Sequence, residues 1–397
     1  MPGSKRAKLQ WLLAERRKAA DWKKQSNVTQ KHATGPSGPT QVDDWLYESR
    51  IKLATEIVAR TTTPYREDQL TRSGHLQTTY RYQIAKFKQG IVCTNGTTHL
   101  SVFDGAGLRQ DDFSTRKYAT ARWAALLTPM QRLPFGVDRS VSGLSACLYG
   151  NVENTAGNYG HWLVDGLSRL FLITRFYPLD SFDHFIVPRL RYDFQRESLL
   201  ALGIPLGKLV ELDPLDVVSF EHLICTSTPR GKNSSVVPGW MIDDYRQALF
   251  GNNEQSQPVK RARRLYVSRR DANSRKFTNE ATIIAALERR GFDSVELSKY
   301  DFAGKVKLFA EAECVVSLTG AGLTNLMFCP SGICMLELLP DSYINYFYTT
   351  IGAHLDFHYR YIIFKSRRVL SRLNRYYGNY YLDVSRIEAA LDEAGVT

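Results

Sequence analysis

Four groups of residues in this chain have the types and spacing that chemistry needs. The first is Asn158-Tyr-Gly-His161-Trp162-Leu-Val-Asp165-Gly-Leu-Ser-Arg169. On a helix His161, Asp165 and Arg169 fall four residues apart and form one polar stripe among Trp162, Leu163, Leu167 and Leu170. A His and an Asp on one helical face can take a proton from a hydroxyl. The same spacing suits an Asp165–Arg169 ion pair beside a satisfied core histidine, and spacing alone leans to that structural reading. The second group is Leu318-Thr319-Gly320-Ala321-Gly322-Leu-Thr-Asn325, an apolar strand running through a glycine turn into a helix. Such a turn brings backbone N–H groups close to an anion, although a tight turn with no ligand has the same sequence.

The third group is Ser268-Arg269-Arg270-Asp271 with Lys276 and Asn279, just past another strand. Three cations there suit a pyrophosphate, because arginine presents a planar fork to phosphate oxygens; the plain alternative is a solvated basic loop. The fourth is Glu337 within Met-Leu-Glu-Leu-Leu. A carboxylate in an apolar strand needs a partner. A ribose hydroxyl or a nearby arginine would serve. There is no H-E-x-x-H, no C-x-x-C and no D-x-D, so no metal site is expected. No G-x-x-x-x-G-K-S/T and no G-x-S-x-G appears either.

The elements that must position these groups alternate between strand and helix. Strands are expected at 146–149, 185–187, 209–212 and 222–226, with helices at 159–176 and 193–202. After a polar linker (251–258) come strands at 265–268, 294–297, 314–318 and 333–338, with helices at 279–290, 302–312 and 322–328. Asn279 and Gly291 read as the caps of the 279–290 helix. Upstream, 89–94 and 98–103 flank Asn95-Gly96 as a hairpin. This is α/β architecture. It divides into a basic extension and linker (1–41), a first domain (42–255) and a second domain (256–397). Ligands in such folds sit at the C-terminal ends of the strands.

The chain has 397 residues, 43% hydrophobic and 23% charged, which excludes fibrous and wholly disordered classes. The net charge is +12, and residues 1–24 carry eight Lys/Arg against Glu15 and Asp21, hence +6 of it. With Trp11 and Trp22, residues 5–24 suit contact with an anionic membrane surface or a solvated tail. Lys365, Arg367, Arg368, Arg372 and Arg375 form a second basic cluster. Charge alone raises nucleic acid as a partner, but the basic residues lie at the two ends and no reader motif is present, so none is expected. No continuous apolar stretch suits a secretory signal, and the six cysteines are scattered, which sets a cytoplasmic expectation.

Taken together, Asn158-x-x-His161-Trp162-x-x-Asp165-Gly-Leu-x-Arg169, Tyr266-Val-Ser-Arg269-Arg270, Asn279-Glu280, Gly320-Ala321-Gly322-Leu-Thr-Asn325, Phe328 and Glu337-Leu resemble glycosyltransferase family 61, the DUF563 capsular-polysaccharide type. The resemblance covers roughly residues 145–345. It implies a GT-B fold of two facing Rossmann-like domains. It also implies inverting, metal-independent transfer of a sugar from a nucleotide donor, usually UDP-linked, to a glycan or lipid-linked glycan acceptor in surface-polysaccharide assembly, with no cofactor. On that reading Asp165 or His161 is the base. Arg269, Arg270, Lys276, Asn279, Thr319, Gly320, Ala321, Gly322, Asn325 and Glu337 hold the donor, and Asn158, Trp162 and Arg169 lie on the acceptor side. Thr319 stands where the family usually has His, and Lys305 where it usually has Gln. Those two departures keep a catalytically silent nucleotide- or carbohydrate-binding protein as the alternative.

Overall fold

A computed structural model describes residues 10, 41–52, 75–94, 100–114, 133, 135–150, 157–230, 236–251, 263–272, 274–345, 347–366 and 379–397. The basic 5–24 segment apart from Gln10, the Asn95-Gly96 turn, the linker beyond Gly251 and the basic cluster beyond Lys365 lie outside them. The chain divides into two compact units, Met1–Tyr47 with Tyr80–Lys232, and Glu48–Thr79 with Asn233–Thr397.

The first sheet contains β1 (Gln41–Lys52), β2 (His75–Thr94), β3 (Leu100–Phe103), β4 (Arg139–Cys147), β5 (His184–Pro188), β6 (Leu209–Leu212) and β7 (Val217–Thr226). Its order is β1-β2-β7-β4-β5-β6, with β3 paired to β2. The expected hairpin is present: β2 and β3 run antiparallel with Thr94 opposite Leu100. From β4 the chain steps outward through parallel β5 and β6, then returns to lay β7 on the other side of β4. That reversal is a topological switch point, where the connections leaving neighbouring strands diverge and open a crevice. The core beneath it is apolar, including Phe87, Val102, Cys147, Ile186, Val218 and Leu223.

Two helices cover this unit. The first, α1, spans 159–174 and is not uniform: Tyr159–His161 and Arg169–Thr174 are α-helical, while Trp162–Leu167 is widened into a π-helical turn. Ser168 N–H donates to the Leu163 carbonyl five residues back at 3.0 Å. Such widened turns recur at functional sites because they re-aim the side chains they carry. The Asn158 side chain starts the helix by accepting from the His161 N–H at 3.2 Å. The second helix, α2 (Asp193–Ala201), is tied to α1 by Trp162 Nε1, which donates to Ser198 Oγ at 2.9 Å.

The second unit opens with α3 (Gly239–Phe250) and then alternates strictly: β8 (Arg263–Val267), α4 (Glu280–Glu288), β9 (Phe292–Val295), α5 (Phe302–Ala310), β10 (Ala312–Leu318), a 3-10 helix (Ala321–Phe328), β11 (Cys334–Pro340), α6 (Phe347–His354), β12 (His358–Phe364) and α7 (Val384–Glu393). All five strands are parallel in the order β12-β11-β10-β8-β9. In chain order this is the doubly wound 2-1-3-4-5 arrangement, with its switch point between β8 and β10. Buried Ile283, Leu287 and Leu391 pack against Val316, Leu336 and Ile362 on one face of this sheet. The α/β expectation therefore holds in both sheets.

Three local expectations need correction. The segment after the glycine turn is a 3-10 helix, not an α-helix. The strand expected at 294–297 begins at Phe292, because Gly291, with φ of 76°, ends α4 and turns directly into the sheet; Leu297 already belongs to a 3-10 turn. Asn279 stands at the N-cap position of α4 but its side chain makes no cap bond.

Candidate functional site

At the β4/β7 switch point, α1 follows β4 and Arg230 follows β7. Their side chains meet at Asp165, which is 0% exposed. Arg230 grips this carboxylate with both ends of its fork: Nε donates to Oδ1 at 2.7 Å and Nη2 to Oδ2 at 2.7 Å. His161 Nδ1 lies 2.6 Å from Oδ2. Burial works against the charge on Asp165. The Arg230 charge and the hydrogen bonds from His161 and Arg230 outweigh it, and hold the carboxyl well below the usual carboxylate range. An ionised carboxylate can only accept, so His161 Nδ1 carries a hydrogen; in the neutral ring Nε2 is then the acceptor, on a side chain that is 34% exposed. This is a base held in one tautomer by a buried anion, which is itself neutralised from behind.

The expected Asp165–Arg169 pairing is replaced. Arg169, 1% exposed, gives Nε to the Asp165 backbone carbonyl at 2.9 Å and Nη1 to the Thr226 carbonyl and hydroxyl at 2.7 and 2.8 Å. It thus locks α1 to the end of β7. Trp162 is fully buried and Asn158 is a helix cap. All three expected acceptor-side residues are scaffold: they build the turn that aims His161, and Trp162 and Arg169 do not face solvent.

At the β8/β10 switch point the expected donor residues divide in two. Arg269 leaves β8 and lies across Gly320: a Cβ on Gly320 would fall 1.8 Å from Arg269 Nη1. Gly320 is extended, with φ of 174°, so its glycine is required by this close approach and not by its backbone angles. Arg269 spends Nε on the Arg275 carbonyl and Nη2 on the Ser274 carbonyl, at 2.9 and 3.0 Å, and among the described residues has no carboxylate partner. Burial first, then the neighbouring Arg275 charge, push it down to about 10. A half-buried cation that makes no ion pair among the described residues is a place for an anionic ligand. The Gly320 carbonyl is held by the Tyr348 hydroxyl at 2.5 Å. Arg270 is half-exposed, with Nε 3.9 Å from Glu280 Oε2, and Lys276 Nζ reaches the Arg270 carbonyl at 2.7 Å. At Gly322 a Cβ would meet Leu297 Cδ1 at 2.7 Å, so a larger residue there would have to displace that side chain.

The remaining expected donor contacts are internal. Asn279 exchanges hydrogen bonds with the Leu382 backbone at 2.8 and 3.4 Å, so its amide is used in holding the C-terminal segment. Asn325 donates to the Gly322 carbonyl at 2.8 Å and shapes the turn. Thr319 and Glu337 are both 0% exposed, behind the turn. Tyr359 donates to Glu337 Oε2 at 2.5 Å, and burial pushes the Glu337 carboxyl up to about 7 against the opposing pull of Tyr359 and Thr319. A ribose cannot reach that carboxylate as placed. Ala321 opens the 3-10 helix, half-buried.

Two residues escaped the sequence, and a third, Glu280, stood there only as part of Asn279-Glu280 with no role. Arg230 is 65 positions from Asp165, and only the fold joins them. Tyr348 is in the same position relative to Gly320. Glu280 gathers Tyr266 Oη and Ser268 Oγ at 2.9 Å and the Arg269 N–H at 3.2 Å on one oxygen, and so sets the course of the arginine loop. Among the described residues no group of three His, Cys, Asp or Glu side chains is placed to hold a metal ion, and no helix is long and apolar enough to cross a membrane.

Comparison with known proteins gives two findings. The Glycosyltransferase 61 family model matches residues 159–336, a stretch that runs from the first residue of α1 into β11. A beta-1,2-xylosyltransferase of Oryza sativa subsp. japonica is 24% identical over 214 residues, covering 49% of this chain and 44% of the relative. The chain thus spans less than half the length of that curated relative.

Proposed function

We propose, from the match of residues 159–336 to the Glycosyltransferase 61 family model, that this chain transfers a sugar from a nucleotide donor, UDP-linked, to a hydroxyl of a glycan acceptor. The observation that carries this reading is the Arg230–Asp165–His161 chain, buried as far as Asp165 and ending in an imidazole Nε2 with no hydrogen-bond partner among the described residues. His161 Nε2 takes the acceptor hydroxyl proton as its oxygen bonds to the anomeric carbon. The bond from that carbon to the phosphate oxygen breaks on the opposite face, its electrons leave with the nucleoside diphosphate, and the configuration inverts. Asp165 stays ionised, orients the ring and stabilises the imidazolium. The leaving diphosphate is met by Arg269, Arg270, Lys276 and the amides at Gly320–Gly322, electrostatic stabilisation that asks for no divalent ion.

Thr319 and Lys305 were the reasons for a silent binding protein. Both are absorbed in the scaffold. Thr319 is fully buried, and the buried Lys305 gives Nζ to the Tyr300 carbonyl at 2.5 Å. Neither removes a group that the mechanism uses. A surface-polysaccharide role on the cytoplasmic side, with residues 5–24 against anionic lipid, belongs to this proposal as well. The test is a thermal-shift screen with UDP, UDP-xylose, UDP-glucose, UDP-N-acetylglucosamine and GDP-mannose, followed by UDP release in the presence of oligosaccharides. A ligand at 100 times its Kd adds about 2.7 kcal/mol of stability. A UDP-sugar should raise the melting temperature and be consumed. No shift with any nucleotide and no release of UDP would overturn the reading.

A further inference from the structure

On the two helices that flank the first sheet, three aromatic rings form a ladder that the mechanism does not use. Tyr159 opens α1, Phe194 lies in the first turn of α2, and Tyr192 stands just before it. Tyr159 meets Phe194 edge-on at 5.2 Å between centroids, and Tyr192 stacks on Phe194 at 5.5 Å with only 9° between the planes. The outermost ring, Tyr192, is 47% exposed, and the other two are half-buried. Leaving such rings in water forgoes the burial that stabilises most aromatic side chains.

The ladder is built on fixed backbone. Fully buried Gln195 accepts from the Arg191 and Tyr192 N–H groups at 2.8 and 3.0 Å, and Glu211 accepts from the Leu190 N–H at 3.0 Å. Arg189 on the same loop forms a two-bond ion pair at 2.6 and 2.7 Å with Asp213, just past β6, so that arginine is already neutralised. The Trp162–Ser198 bond joins α1 to α2, so the rings and His161 are carried by one rigid pair of helices. The loop leaves the C-terminal end of β5, the strand beside β4, and Tyr159 is two residues from His161.

We propose that Tyr192, Phe194 and Tyr159 form a stacking subsite for the acceptor glycan, holding a sugar ring next to the one whose hydroxyl His161 deprotonates; this rests on the function proposed above. The chemistry fits a neutral saccharide. A sugar ring offers an apolar C–H face to an aromatic plane and a rim of hydroxyls to polar groups such as the Arg189–Asp213 pair. A preformed platform avoids the ordering cost of binding. A nucleobase would stack equally well on rings, and that occupant is decided by the test.

The experiment titrates wild type, Tyr192→Ala and Tyr192→Trp with xylotetraose, cellotetraose and mannotetraose by saturation-transfer NMR. Acceptor KM is then measured on any tetrasaccharide that is glycosylated. Stacking tolerates sugar identity, so at least one tetrasaccharide should bind at millimolar concentration. Tyr192→Ala should weaken it about tenfold, the equivalent of about 1.4 kcal/mol, and raise acceptor KM with kcat little changed. Tyr192→Trp should keep the affinity, and all three proteins should melt alike. Equal binding or equal KM in Tyr192→Ala, no binding of any tetrasaccharide to wild type, or displacement of the tetrasaccharide by UDP alone would overturn the subsite. Binding that follows Tyr192 with no nucleotide sugar consumed would leave the stacking surface standing and sink the transferase reading instead. Transfer that ignores Tyr192 would do the reverse.

Discussion

Replacing Arg230 by methionine keeps most of its length and apolar contact but removes the charge that faces Asp165. Both side chains are sequestered, Arg230 at 2% and Asp165 at 0% exposure, so solvent cannot take the place of the lost partner. Breaking a buried ion pair from one side costs about 3–5 kcal/mol. For a unit of this size each kcal/mol moves the melting temperature by about 2–4 °C, so the first unit should melt roughly 6–20 °C lower at neutral pH. The pH dependence follows from the sign of the shift. In wild type the Asp165 carboxyl sits below its ordinary range, so its stabilisation is present above the unfolded carboxyl's pKa and is lost only in strong acid. Without Arg230, burial dominates and lifts the carboxyl. The folded variant then gains from protonation, and its deficit against wild type should shrink as the pH falls from about 7 to about 5. Asp165→Asn with Arg230→Met removes both charges and should recover much of the loss, because taking away both partners costs less than stranding one. Calorimetric melts of wild type and the two variants across pH measure this. An Arg230→Met variant that melts with wild type at neutral pH, or a deficit that widens in mild acid, would refute a buried, ionised Asp165.

Glu337→Gln should become more stable relative to wild type, by about 3 kcal/mol, as the pH rises from about 4.5 to about 7: the raised carboxyl makes wild type lose stability across that window, and an amide has nothing to ionise. Urea melts at several pH values read this directly, and parallel profiles would count against it. Gly320→Ala puts a methyl group where Arg269 Nη1 lies. UDP affinity by calorimetry should fall about 10- to 150-fold, the worth of one charged hydrogen bond, with the fold retained; unchanged affinity would remove Arg269 from the donor site. Transfer should persist in EDTA, since cationic side chains stand where a metal would otherwise bridge the diphosphate. Loss of turnover with rescue by Mn²⁺ would contradict that assignment.

The parallel strands were the legible part of the sequence in both units. Strands buried on both faces read as short apolar runs such as Cys-Val-Val-Ser-Leu, and the expected 314–318 falls within β10. Leu209–Leu212 was expected residue for residue as β6, and the 193–202 helix matches α2 to within one residue. The π-helical turn left no mark, since its residues satisfy an ordinary helical stripe equally well. Spacing along one helix suggested Arg169 as the partner of Asp165, because local pairs are visible in sequence. The true partner, Arg230, arrives through the return of β7 beside β4, a fact of topology and not of spacing. Residue type also misled at Glu337 and Asn279. Each is polar at a plausible ligand position, yet each meets a protein group from a later element, Tyr359 and Leu382, before any ligand could reach it.

The central claim is that His161 is the base and Asp165 its orienting partner. Steady-state kinetics of His161→Gln and Asp165→Asn, beside UDP affinity and melting curves of the same proteins, test it most directly. The account predicts a fall in kcat of about 10²–10⁴ for His161→Gln, the usual worth of a general base, with UDP affinity and melting temperature near wild type. Asp165→Asn should lose turnover and stability together, because the ring loses its anchor and Arg230 its counter-charge. Full turnover in His161→Gln would contradict the account and take this helix out of the chemistry.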